Sequence, residues 1–304
     1  VKEIINALNR THKWLEVNIP PFASAFQPKL SFEEIQNVSS KIGFEFPEEI
    51  YDLYQWRNGV DRNISIDAMV FPSGEFLPLN IALNEYQNLI DSFDEDQQIL
   101  FEGQPLFPFY EMNGHCYAVL LSSEKRESSP VVKISDINEH SISYQSLTAM
   151  FLMVAECYET GAYYIESEGD YQGVINLNSR EVSKILIKYN PKILERVLSN
   201  LGSLVRGEKD YLDSYNYLEY TYSVLGQLRR FREIKAVEML LDYLNQLNSI
   251  PRGKDNESAI AETVYTLGYM ADSRVIPYIS SLLNDQSEFI RYRANEALLE
   301  QGNY

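Results

Sequence analysis

Residues 31–60 read SFEEIQNVSSKIGFEFPEEIYDLYQWRNGV, which is the pattern of two helices separated by one break. Ser31 followed three residues later by Glu34 is a capping box: the hydroxyl accepts from a first-turn amide while the carboxylate reaches back to the cap residue. Ile35, Val38 and Ile42 then recur at helical spacing, and Gly43 ends the element. Phe46-Pro47-Glu48-Glu49 starts the second helix, because proline suits a first turn and two carboxylates favour the positive end of the helix dipole. Ile50, Leu53, Tyr54 and Trp56 supply its apolar face, and Asn58-Gly59 supplies a left-handed stop.

Upstream, Ile4, Ile5, Leu8, Trp14 and Leu15 predict a helix that Pro20 and Pro21 terminate. Downstream, FLPLNIALNEYQNLIDSF reads as a strand and a short helix, and PLFPFYEMNGHCYAVLL as two strands joined at Asn113-Gly114, both of which tolerate positive φ. PVVKIS is another strand, and SLTAMFLMVAECYETGAYY is a closing helix. The sum is an α+β domain, a mostly antiparallel sheet flanked by helices, over about residues 1–170. In order and spacing, residues 1–165 resemble the SUKH superfamily, named after yeast cell-wall regulators of the Smi/Knr type and bacterial Syd. The resemblance implies that Trp14, Pro47, Asn58, Gly59 and Pro108 shape the fold. It also implies a protein-binding function, which in many bacterial members is neutralisation of a toxin.

From about Asn178 the strand signals stop. Tyr222-Ser-Val-Leu-Gly226 recurs 42 positions later as Val264-Tyr-Thr-Leu-Gly268, and each copy precedes a second apolar helix, AVEMLLDYLNQL and VIPYISSLLND. FIRYRANEALLEQG closes the chain. Helix pairs at a fixed period cannot bury their apolar faces alone and must stack. Residues 178–304 are therefore expected to form an all-α domain, and residues 257–302 in particular resemble HEAT repeats. That resemblance implies an extended binding surface, for which Tyr215, Tyr222 and Tyr269 are candidates; some relatives act as chromophore lyases.

Charge divides along the same line. Residues 1–170 hold 27 acidic and 10 basic residues, a net of −17, whereas residues 171–304 hold 17 and 16, a net of −1. A surface this acidic disfavours nucleic acid and anionic membrane, which need cations, and suits a basic protein partner. Asp91, Asp94, Glu95, Asp96 and Glu102 form one candidate docking segment, with Glu48, Glu49 and Asp52 beside them. The segment lacks the spacing and the glycine of a calcium loop.

Residues suited to catalysis are few. His12, His115 and His140 have no partner at metal-ligand spacing, and His115 and Cys116, adjacent on a strand, face opposite sides. No phosphate-loop, dinucleotide-loop or nucleophile-elbow motif occurs. Cys116 and Cys157 read as reduced core thiols, and no apolar run is long enough to span a bilayer, so a cytoplasmic protein without cofactor or metal is expected. The leading expectation is a non-enzymatic bacterial immunity protein that occludes a basic toxin surface. A regulatory scaffold using the helical repeats is the alternative, and a chromophore-lyase-like enzyme comes third.

Overall fold

A computed structural model describes residues 2–61, 74–91, 100–101, 104–112, 115–134, 141–166, 175–208 and 214–302. The chain divides into two compact units, Val1–Asn190 and Pro191–Tyr304.

In the first unit four helices precede the sheet: α1 (Glu3–Asn18), α2 (Pro20–Ala23), α3 (Phe32–Ile42) and α4 (Glu48–Trp56). The capping box forms as read. The Ser31 hydroxyl accepts from the Glu34 amide at 3.2 Å, and the Glu34 carboxylate accepts from the Ser31 amide at 2.7 Å. After β1 (Glu75–Phe76) comes α5 (Leu79–Asp91), then β2 (Leu100–Phe101), β3 (Gln104–Met112), β4 (His115–Leu120), β5 (Val131–Ile134) and β6 (Ser141–Tyr144). The sheet order is β1-β3-β4-β5-β6, antiparallel throughout, with β2 paired to the start of β3. Met112 lies opposite His115, leaving two residues to connect β3 to β4; Asn113-Gly114 itself lies outside the described residues. The helix α6 (Leu147–Thr160), the hairpin β7 (Tyr163–Ile165) and β8 (Ile175–Leu177), and α7 (Ser179–Tyr189) complete the unit.

The core explains the local sequence. Phe46, Ile50, Leu53, Phe107 and Phe109 are fully buried, and the Phe46 and Phe107 rings meet at 4.6 Å. Pro108 lies in a central strand without an N–H to give the ladder, and the register shifts between Pro108 and Tyr110. On the other edge of β3 the Phe109 carbonyl accepts from the Leu77 amide at 3.0 Å, extending the β1 pairing and fixing the chain just ahead of α5. Gly59 adopts φ +71°, and a Cβ there would lie 2.3 Å from the Pro78 nitrogen, so only glycine fits. The left-handed stop expected at Asn58-Gly59 is not where α4 ends: the helix closes at Trp56 with Arg57 extended at φ −153°. Asn58 instead serves another helix, since its Oδ1 accepts from the Leu79 amide at 2.8 Å and caps α5. The change of sequence pattern near residues 170–178 lies inside this unit. Here α7 packs on α6, and Lys188 and Tyr189 both donate to Glu156, at 2.6 and 2.5 Å.

The second unit is all helical: α8 (Pro191–Val205), α9 (Ser214–Phe231), α10 (Ala236–Ser249), α11 (Lys254–Tyr269), α12 (Ile276–Ser281) and α13 (Glu288–Gly302). Packing runs α9 to α11 to α13 in one layer, with α8, α10 and α12 behind them. The two glycines of the internal repeat have different surroundings. A Cβ on Gly268 would lie 2.6 Å from the Ala297 Cα at the α11–α13 crossing, whereas one on Gly226 would meet only an arginine tip at 3.7 Å. Gly268→Ala is expected to destabilise the second unit by about 1–3 kcal/mol through overpacking. Gly226→Ala is expected to stabilise it by up to about 1 kcal/mol through helix propensity. Urea midpoints of the two variants check this, and equal effects would contradict the crossing geometry.

Candidate interaction surfaces

The first turn of α4 organises the first unit. Pro47 is the cap residue, and its side chain offers no acceptor. The orphan amides of Glu48 and Glu49 instead donate to the Arg126 and Glu127 carbonyls at 2.9 and 3.3 Å, which docks the β4–β5 loop onto the helix. The Glu49 side chain points inward and is only 6% exposed. Its carboxylate accepts from the Thr148, Leu147 and Ser129 amides at 2.9, 3.2 and 3.4 Å. Ser146 takes the Ala149 amide at 3.0 Å through its hydroxyl, so Glu49 and Ser146 together supply acceptors to the Leu147, Thr148 and Ala149 amides in the first turn of α6.

This placement corrects the reading of Glu49 as a partner-facing carboxylate: it is buried and committed to internal amides. Glu48 and Asp52, one turn apart on the outer side of α4, remain near the surface. Lys2 lies 3.0 Å from Asp52 and 3.5 Å from Glu48, and Lys125 lies 3.1 Å from Glu48. These lysines hold the Glu48 carboxyl below the usual range. Asp91 ends α5, and nothing is described of its side chain; Asp94, Glu95, Asp96 and Glu102 lie outside the described residues.

Beside Glu48 an aromatic feature appears that the sequence reading did not select. Phe32, the first residue of α3, stacks on Tyr51 at 4.9 Å and 22°, yet it stays 52% exposed. Helical spacing places Phe32 in line with the buried Ile35, which reads as core. The signal against that reading is its position directly after the cap, at the outer end of the helix.

In the second unit, Tyr222 and Tyr269 share the α9–α11–α13 layer. Glu262, 7% exposed, accepts from Arg229 of α9 at 3.1 Å and forms an ion pair with Arg293 of α13. Both guanidiniums lie over the Tyr265 ring, at 5.3 and 4.4 Å. Tyr269 shares a 2.9 Å hydroxyl contact with Tyr265 and carries Arg232 over its ring at 4.8 Å. Burial pushes the Tyr222 and Tyr269 phenols up. Tyr215 lies within α9, and its side chain is not described.

For chemistry the described residues offer little. No cluster of three or more His, Cys, Asp or Glu among them could hold a metal ion, and none of their helices is long and apolar enough to cross a membrane. Burial pushes the Cys157 thiol up to about 12, away from the thiolate a nucleophile needs.

The segment that carries α3, α4, the antiparallel sheet and the start of α6 also matches a family model. Residues 29–153 match the SMI1 / KNR4 family (SUKH-1). No curated protein matches the chain. The SUKH-1 match spans about two fifths of the sequence and includes Phe32, Glu48, Glu49, Asp52 and Lys125, along with the α6 amides that Glu49 holds. The helices of the second unit lie beyond it.

Proposed function

We propose that the chain is a non-enzymatic cytoplasmic immunity protein of bacterial type, whose SUKH-1 unit binds a toxin and occludes a basic surface on it. The observation that carries this reading is the charge partition within a SUKH-1 context. With α7 counted in the first unit, residues 1–190 hold 28 acidic and 13 basic residues, a net of −15, against −3 for residues 191–304. Such a field steers a cationic partner and repels nucleic acid and anionic lipid. Glu48 and Asp52, together with the Asp91, Asp94, Glu95, Asp96 and Glu102 segment, take the place of substrate phosphates in the toxin's groove.

The test is co-purification with the product of the gene encoded beside this one. A complex that forms with the native chain and is lost on reversing Asp94, Glu95 and Asp96 to lysine supports occlusion. A complex indifferent to that reversal contradicts it.

A second reading has its own observation. The Tyr222–Tyr265–Tyr269 and Arg229–Arg232–Arg293 array on α9, α11 and α13 suits a scaffold of HEAT type that binds a cellular partner. A chain ending at Asn190 separates the two readings: toxin binding survives that truncation, and scaffold binding does not.

A further inference from the structure

Phe32 is a large aromatic that the fold leaves half outside. One face of its ring rests on Tyr51, which is 7% exposed and tied by its hydroxyl to Gln36 at 2.7 Å, so the lower ring is held rigidly. The upper ring is thus a preorganised platform rather than a mobile side chain, and ordering it on binding forfeits little entropy. Carboxylates lie on the same two helices: Glu33 follows Phe32 in α3, and on α4 Glu48 lies one turn before Tyr51 and Asp52 follows it.

The cations on these turns are displaceable. Lys2 and Lys125 have side chains 56% and 67% exposed; Lys2 pairs with Asp52 and Glu48, and Lys125 pairs with Glu48. The long, solvated ammoniums are held in cis by weak surface pairs. An incoming guanidinium offers what a lysine lacks: a planar cation that stacks on an aromatic face while its fork meets a carboxylate.

We propose that Phe32, stacked on Tyr51 at the acidic first turns of α3 and α4, receives an arginine side chain of a basic protein partner, with Lys2 and Lys125 as the counterions it displaces. The inference rests on the basic-partner reading and adds to it a site and a residue type. Apolar ligands fit poorly because these helix turns are charged, and the net charge of the unit selects against anionic ones.

The test titrates the full chain with the peptide acetyl-Gly-Arg-Gly-Arg-Gly-amide and with its lysine counterpart at low salt, following backbone amide shifts. Shifts are expected to concentrate at residues 31–36, 45–52 and 125, with the arginine peptide bound more tightly. Phe32→Ala should weaken the arginine peptide about three- to fivefold, to the level of the lysine peptide, and Phe32→Trp should tighten it. Lys2→Met with Lys125→Met should strengthen both. Shifts spread over the whole acidic surface, or equal affinities in the Phe32→Ala and native chains, would overturn the site. Toxin inhibition that persists undiminished in Phe32→Ala with Glu48→Lys would overturn this site alone. A toxin unaffected by the native chain would overturn the basic-partner reading beneath it.

Discussion

Glu262→Ala lowers the stability of the second unit by about 3–5 kcal/mol, the range for stripping one partner from a buried charge network. Glu262 is 7% exposed and lies between two guanidiniums whose side chains are only 22% and 23% exposed. Alanine leaves Arg229 and Arg293 on the same Tyr265 ring without the anion between them. Two contacts moderate the loss: Arg229 still donates to the Thr266 hydroxyl at 3.0 Å, and Arg293 to Glu296 at 2.6 Å. Neither restores a shared counter-charge across α9, α11 and α13. Replacing all three members by Met, Leu and Met is expected to cost far less than Glu262→Ala, because the desolvation of the ions disappears with them. Urea denaturation of the single and triple variants checks the pair of outcomes, and a Glu262→Ala effect below about 1 kcal/mol would show that the triad is solvated.

Glu49→Ala has a comparable effect on the first unit, about 3 kcal/mol, since three internal amides lose a charged acceptor at once. Glu49→Gln keeps one acceptor oxygen but turns an NH2 group toward amide donors, so it recovers little. Its neighbour behaves differently: Glu48→Gln removes only surface pairs and shifts stability by no more than about 0.5 kcal/mol. Amide hydrogen exchange gives the site-resolved version. Protection at Leu147 and Thr148 falls in Glu49→Ala and is unchanged in Glu48→Gln, whereas equal behaviour in the two variants would mean that Glu49 does not hold α6.

The contrast between these adjacent glutamates shows how far the sequence was readable. Features set within one turn were legible: the Ser31–Glu34 box, the Gly43 stop, the start of α4 at Pro47-Glu48, with Pro47 as cap rather than in the first turn, and the run of strands in antiparallel order. Helix-dipole reasoning placed both glutamates in a first turn, where they are found. It could not separate them, because the acceptors Glu49 supplies belong to amides 80, 98 and 99 positions away. Asn58 shows the same limit: its left-handed neighbour Gly59 is a local signal, whereas its cap on α5 depends on a contact across the fold. Phe32 was hidden for another reason. Periodicity reports which face of a helix a residue lies on, not whether the core extends as far as that turn. In the second unit the repeat marked Gly226 and Gly268 as equivalent, and the difference between them comes from Ala297 on a third helix.

The acidic unit is proposed to act as a phosphate mimic toward a basic protein, and an inhibition titration measures that outcome. The proposed toxin partner, sought in the product of the neighbouring gene, is assayed for residual activity against increasing amounts of the full chain, at low and at high salt. Activity is expected to fall to background near equimolar ratio at low salt, and inhibition should weaken as salt screens the carboxylates. Full toxin activity in the presence of a large excess of the chain, or inhibition indifferent to both salt and reversal of Asp94, Glu95 and Asp96, would contradict the proposal.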